Sequence, residues 1–233
     1  MKSLLFLGSF LTLLFLSVPD SWAANSCINC HQTISPVSPK AHAFGDWKNS
    51  RHAKNGITCE ACHGGDSSKK TMPEAHRKIA NSRHPKSPLY FSQIPETCGA
   101  CHAAELAAFK KSYHYSELKR TGKGPNCLTC HGSMATKIIA PAEMDRACSL
   151  CHDQPKAAGE TLVTLNLAGT LVEEWGRSTV PGQDAPYRQA SKTLKEIRIR
   201  WHSFHMKEVL EQSRKLIETA RQEIKNLKLK TGR

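Results

Sequence analysis

The clearest hydrophobic patterning lies in the C-terminal third of the chain. In GETLVTLNLAGTLVEEWGRS, Leu162, Leu165, Val172 and Trp175 fall on one helical face. From about Ser191 to Lys230 a second stripe runs through Leu194, Ile197, Trp201, Phe204, Leu216, Ile217, Ala220, Ile224 and Leu227, with Lys, Arg and Glu elsewhere. This pattern predicts a long amphipathic helix capped by Ser191. The prolines and glycine of TVPGQDAPYRQ separate the two stretches. Residues 156–233 are therefore expected to form a two-helix region, either packed on the preceding part of the chain or mediating dimerisation through the long helix. Upstream, Leu106, Phe109 and Tyr113 keep helical spacing in AAELAAFKKSYHYSELK. Runs such as TISPVSPKAH and HPKSPLYFSQIPE predict irregular loops between short helices. The fold class expected is mainly α with much irregular loop.

The first residues have a different pattern. Lys2 precedes an apolar run from Leu4 to Val18, and Ser21-Trp22-Ala23 follows as a small-x-small cleavage site. Residues 1–23 read as a secretory signal peptide, because the run falls short of the ~20 residues that a spanning helix needs. The mature chain, starting at residue 24, is expected to be periplasmic or otherwise exported.

Composition sharpens this picture. The chain has 233 residues, 10 Cys, 12 His, a formal charge of +13 and only 6% aromatic residues. So few large rings leave little for a conventional core, unless something else fills the interior.

Every cysteine belongs to one repeated unit. Cys27–Cys30–His31, Cys59–Cys62–His63, Cys98–Cys101–His102, Cys127–Cys130–His131 and Cys148–Cys151–His152 are all Cys-x-x-Cys-His. Four-cysteine zinc sites would consume cysteines in fours, and zinc has no need of a histidine directly after each pair. A disulfide framework suits export but predicts nothing about histidine. Covalent haem attachment explains the whole unit: two thiols add to the vinyl groups of one haem, and the next residue is delivered beneath the iron. Five covalently attached haem c groups are expected, with His31, His63, His102, His131 and His152 as proximal ligands. Their propionates bring about ten negative charges, which offset much of the basic balance and argue against nucleic-acid binding. Residues 24–155 are thus expected to be a pentahaem cytochrome c domain.

Seven histidines remain outside the motifs. His52 and His114 each follow a Ser-x-His pattern upstream of a motif, and His76 follows the second motif; these three lead as sixth ligands. His42 and His84 are further candidates. His202 and His205 share a face three residues apart, and His202 is the preferred candidate for docking the C-terminal region onto a haem. Met134, three residues after His131, is a candidate thioether ligand, although packing on a porphyrin face suits it better.

The runs WKNSRHAKNGITCEACHGG and SYHYSELKRTGKGPNCLTCHGS, with the final Cys-x-x-Cys-His, resemble the cytochrome c554 and hydroxylamine oxidoreductase superfamily of multihaem cytochromes. That superfamily includes the pentahaem nitrite reductases. The resemblance covers about residues 27–152 and implies a haem-binding scaffold. Relatives often carry histidine where this chain has Met134, and the Cys-x-x-Cys-Lys site of pentahaem nitrite reductases is absent. The function expected is electron transfer between redox partners in a respiratory chain, more a carrier than an enzyme. Partners would be a quinol-oxidising module or another cytochrome on one side and a terminal reductase or oxidase on the other, with any membrane contact peripheral or through them. The alternative is an oxidoreductase with one open haem acting on nitrite, hydroxylamine or a sulfur oxyanion.

Overall fold

The computed structural model describes residues 25–34, 44–153, 155–179 and 184–231. The signal-peptide reading and His42 lie outside the described residues. Within them the chain is helical with irregular connections and holds no strand, as the sequence predicts.

The first half is a run of short helices, several set by a buried polar cap. Asn25 caps Ser26–His31 by accepting from the Ile28 amide at 3.1 Å. Ser50 caps Arg51–Lys54 through the Ala53 amide at 3.1 Å. Ser112 caps Tyr113–Thr121 through the Tyr115 amide at 3.1 Å, and its hydroxyl donates to the Phe109 carbonyl at 2.7 Å. Asn126 caps Cys127–His131 through the Leu128 amide at 2.9 Å, and Thr129 closes the box. All four cap residues are buried. Each cap satisfies an orphan helix donor and contributes about 1 kcal/mol.

Three long helices follow: α1 (Lys156–Ser178), α2 (Ala185–Arg200) and α3 (Met206–Thr231). Tyr187 at the start of α2 packs on Trp175 near the end of α1, with ring centres 6.3 Å apart, so α2 runs back along α1. Lys228 late in α3 reaches Glu174 late in α1 at 3.4 Å, so α3 runs parallel to α1. The predicted stripes meet in one core: Leu162, Leu165, Val172 and Trp175 of α1, Leu194 and Ile197 of α2, and Val209, Leu216, Ile217, Ala220 and Ile224 of α3. Ile139 and Met144 join from the first half. The α3 stripe is thus buried inside the chain, and a second copy would have to use another surface.

Two expectations are corrected. Among the described residues the C-terminal region has three long helices, where two were expected. The stretch read as one helix from Ser191 begins at Ala185, with Pro186 in its first turn, and breaks after Arg200. Trp201–Ser203 forms a 3-10 turn, and Phe204 takes φ 61° and ψ 20°, left-handed backbone that reverses the chain. Glycine normally marks such a reversal. Here a phenylalanine occupies it, so the apolar period runs on through the break and hides it.

Candidate haem-binding sites

Each motif is one helical turn. The amides of His63, His102 and His152 donate to the carbonyl of the first cysteine of their motifs, each at 2.9 Å. His31 and His131 end the helices that hold their cysteines. Two thiols and one imidazole are therefore gathered at each turn, as the attachment chemistry requires.

The five motifs also adjoin in chain order. An Asn25–Glu60 clasp joins the first two: Asn25 Nδ2 donates to both Glu60 oxygens at 3.2 Å, and the Ser67 hydroxyl adds a third bond at 2.8 Å. As free thiols, the cysteines sense one another across neighbouring motifs. Burial, then the neighbouring Cys27, pushes Cys59 up to about 11. Burial raises Cys62, helped by Cys98 and Cys101 of the third motif. Cys98 and Cys127 share a hydrogen bond that raises the Cys98 thiol and lowers that of Cys127. Burial, with Cys148 next to it, pushes Cys130 up to about 11.

The histidines form cross-chain pairs. Ring centres lie 6.0 Å apart for His31 and His76, and 6.1 Å for His52 and His102. They lie 5.8 Å apart for His114 and His152, and 6.3 Å for His131 and His202. The planes within these pairs meet at 46°, 51°, 71° and 21° respectively. A metal–imidazole bond of about 2 Å, plus about 1 Å from nitrogen to ring centre, sets two opposed axial rings about 6 Å apart. All four pairs have the span of an iron held between two imidazoles.

Hydrogen bonds set the tautomers. Nδ1 of His76 faces the Met72 carbonyl at 2.8 Å, Nδ1 of His131 faces the Lys137 carbonyl at 2.9 Å, and Nδ1 of His202 faces the Arg198 carbonyl at 3.1 Å. A carbonyl only accepts, so Nδ1 carries the proton and Nε2 keeps its lone pair for a metal. His52 Nδ1 pairs with the Thr136 hydroxyl at 3.0 Å. Burial is the largest influence on His52, His114 and His202 and lowers all three, with the paired histidine adding to it. The rings stay neutral, which ligation requires.

The other candidates sit elsewhere. His84 is exposed and closes its own turn, accepting from the Lys86 amide at 3.1 Å. His205 lies on the surface, 3.9 Å from Glu208. Met134 packs against the Ile28, Trp47 and Ala53 cluster, and the ring opposite His131 is that of His202. His63 closes the helix Glu60–His63.

Known proteins point the same way. The family model "Cytochrome c554 and c-prime" matches residues 17–64. A probable nitrite reductase-hydroxylamine oxidoreductase fusion protein of Kuenenia stuttgartiensis is 22% identical over 69% of this chain and 24% of its own length. A C-type polyheme cytochrome, OmcC, of Geobacter sulfurreducens is 23% identical over 57% of this chain and 14% of its own length. The chain thus spans a quarter or less of these curated relatives. The chain is a multihaem c-type cytochrome. No solved structure matches it significantly.

Covalently bound haem c gives this cytochrome reversible one-electron storage at iron. The residues present fit that group. Large apolar side chains left exposed lie beside the cytochrome's motifs and paired histidines: Ile34, Ile57, Met72, Tyr113 and Leu150. Sequence reasoning missed the helix caps and the Nδ1 partners. The Ser-x-His pattern carried part of that signal, since Ser50 and Ser112 are the caps that start the helices bearing His52 and His114. Among the described residues of the cytochrome, no helix is long and apolar enough to cross a membrane.

Proposed function

We propose that this cytochrome carries five covalently attached haems and works as an exported electron carrier in a respiratory chain. The observation that carries this reading is the set of four histidine pairs, 5.8–6.3 Å between ring centres, each combining a motif histidine with one from elsewhere in the chain. A filled sixth position suits electron transfer, because it leaves no site for a substrate at iron. In this reading His76, His52, His202 and His114 are the sixth ligands of the first, third, fourth and fifth motifs. His42 is assigned to the second. The adjacency of motifs in chain order supports a linear path with its ends at the first and fifth sites. A quinol-oxidising module or another cytochrome would donate at one end, and a terminal reductase or oxidase would accept at the other. Exposed lysines such as Lys69 and Lys70 would steer an acidic partner.

The test is an EPR spectrum of the oxidised protein, with carbon monoxide added to the reduced form and a pyridine haemochrome count. Five haems, all low-spin and none binding carbon monoxide, is the expected result. One high-spin haem that takes the gas would overturn the carrier reading in favour of an oxidoreductase acting on nitrite, hydroxylamine or a sulfur oxyanion.

A further inference from the structure

The chain reversal between α2 and α3 delivers two rings to two neighbouring sites, and ligation accounts for one of them. His202 faces His131 of the fourth motif. Two residues on, Phe204 lies with its ring centre 4.4 Å from that of His114, the planes 82° apart. The Phe204 ring also meets Phe109, with ring centres 6.2 Å apart, and Phe109 packs edge-on against Tyr115 at 5.6 Å. His114 in turn faces His152 of the fifth motif at 5.8 Å. The His114 imidazole is therefore held between His152 and an aromatic ring contributed by the C-terminal region.

Two observations make this contact more than packing. Phe204 takes left-handed backbone, φ 61°, which bulky residues rarely adopt and which concentrates at functional positions. Moreover, His52, His76 and His202 each have Nδ1 tied by a hydrogen bond, which fixes the ring plane. Among the described residues, the His114 ring has no such bond. An edge-to-face contact is the geometry two aromatic rings prefer, and it resists rotation of either ring.

We propose that Phe204 is a positioning residue that fixes the plane of the His114 imidazole. It holds that ring 71° from the plane of His152 and so sets the electronic character of the fifth site. The inference rests on the reading of His114 and His152 as an axial pair. The angle matters because two axial imidazoles near perpendicular leave the iron d orbitals almost degenerate and give a strongly anisotropic low-spin EPR signal. Near-parallel rings split those orbitals and give a rhombic one. Outer groups that orient an axial ligand also tune the potential.

The experiment compares holoprotein with Phe204→Gly, Phe204→Leu, Phe204→Tyr and His114→Ala by low-temperature EPR and redox titration, with haem content measured on each. Glycine suits the left-handed backbone, so that variant removes the ring without straining the turn. The expected result is that Phe204→Gly and Phe204→Leu stay fully low-spin but lose one strongly anisotropic signal to broadened or rhombic intensity. One potential should shift with it, and Phe204→Tyr should retain the original spectrum. Should Phe204→Leu keep both the signal and the potentials, the positioning role is overturned, whatever happens to Phe204→Gly. Failure of the underlying reading looks different: His114→Ala would then leave every haem low-spin.

Discussion

Replacing His202 by alanine separates two roles of the C-terminal region. The first is mechanical, since α2 and α3 are packed into the molecule; the second is chemical, since His202 reaches His131 with ring centres 6.3 Å apart. If the histidine were what holds the region in place, its loss would release the helices. The magnitudes argue otherwise. Around the reversal, Leu194, Ile197 and Val209 are 5%, 1% and 0% exposed. Burying three such side chains contributes roughly 5–9 kcal/mol before entropy is counted. The His202 hydrogen bond to the Arg198 carbonyl lies within its own turn and contributes about 0.5–1.5 kcal/mol, and a single iron–imidazole bond would add to this core without replacing it. The helices should therefore stay docked while one iron loses its sixth ligand. The expected outcome for His202→Ala is one haem per chain turned high-spin by EPR, carbon monoxide uptake of one equivalent by the reduced protein, and unchanged far-UV circular dichroism. An unaltered low-spin spectrum would refute the ligand assignment. Loss of helical signal together with changes at more than one haem would refute the separation of roles.

Gly65→Ala should damage the first site from a distance: at φ 88° a new Cβ would lie 2.6 Å from the Ala75 carbonyl oxygen, next to His76. It is expected to cost more than about 1 kcal/mol and to turn a fraction of one haem high-spin by EPR. Ile197→Ala, at a side chain 1% exposed in the three-helix core, should lower stability by about 2–5 kcal/mol in thermal melts without altering the low-spin spectrum. Acid should weaken the contact between the third motif and the helix Tyr113–Thr121. Burial alone would raise Glu96, but hydrogen bonds from Tyr115 at 2.7 Å and Lys119 at 3.1 Å outweigh it and hold the carboxyl below its usual 4.5. A depressed folded-state value means that this stabilisation is present above pH 4.5 and lost as pH falls through the folded value. Glu96→Gln should accordingly flatten part of the acid limb of stability measured by circular dichroism.

The attachment chemistry was legible because it is local: two thiols and a histidine must lie within one turn, so the sequence has to spell the unit out. The Ser-x-His pattern was legible for a related reason, since a cap residue stands at a fixed offset from the first turn of its helix. Pairing was not legible. His31 finds His76, His52 finds His102, His114 finds His152 and His131 finds His202, and no common spacing links these partners. The sequence favoured His76 over His84, but not for the reason that the structure gives. Both lie after the second motif, and what separates them is that one ring meets His31 while the other closes a surface turn. The reversal at Phe204 escaped because a left-handed position was filled by an aromatic residue, and the ring at that position has an address of its own on His114.

Buried apolar residues are distributed unevenly between the two halves of the chain. The three long helices, with Ile139 and Met144, bury a continuous core. In the first half, one further cluster consists of Ile28, Trp47 and Ala53, with Phe44, Cys59 and Met134 packed on it. Short helices of four to nine residues are marginal in water on propensity and capping alone. Ile94, Ala108, Phe109 and Leu118 are buried there as well, and in the proposed reading each haem would add a tie between a motif turn and a histidine carried by another element. Ligation would then supplement packing in the first half, because a bond that forms only in the folded chain adds to folding stability. His202 and Phe204 stand where the two modes meet. The packed helices present both rings on a turn next to their own core, so in the proposed reading the fourth and fifth sites would be positioned by the better-packed half of the molecule.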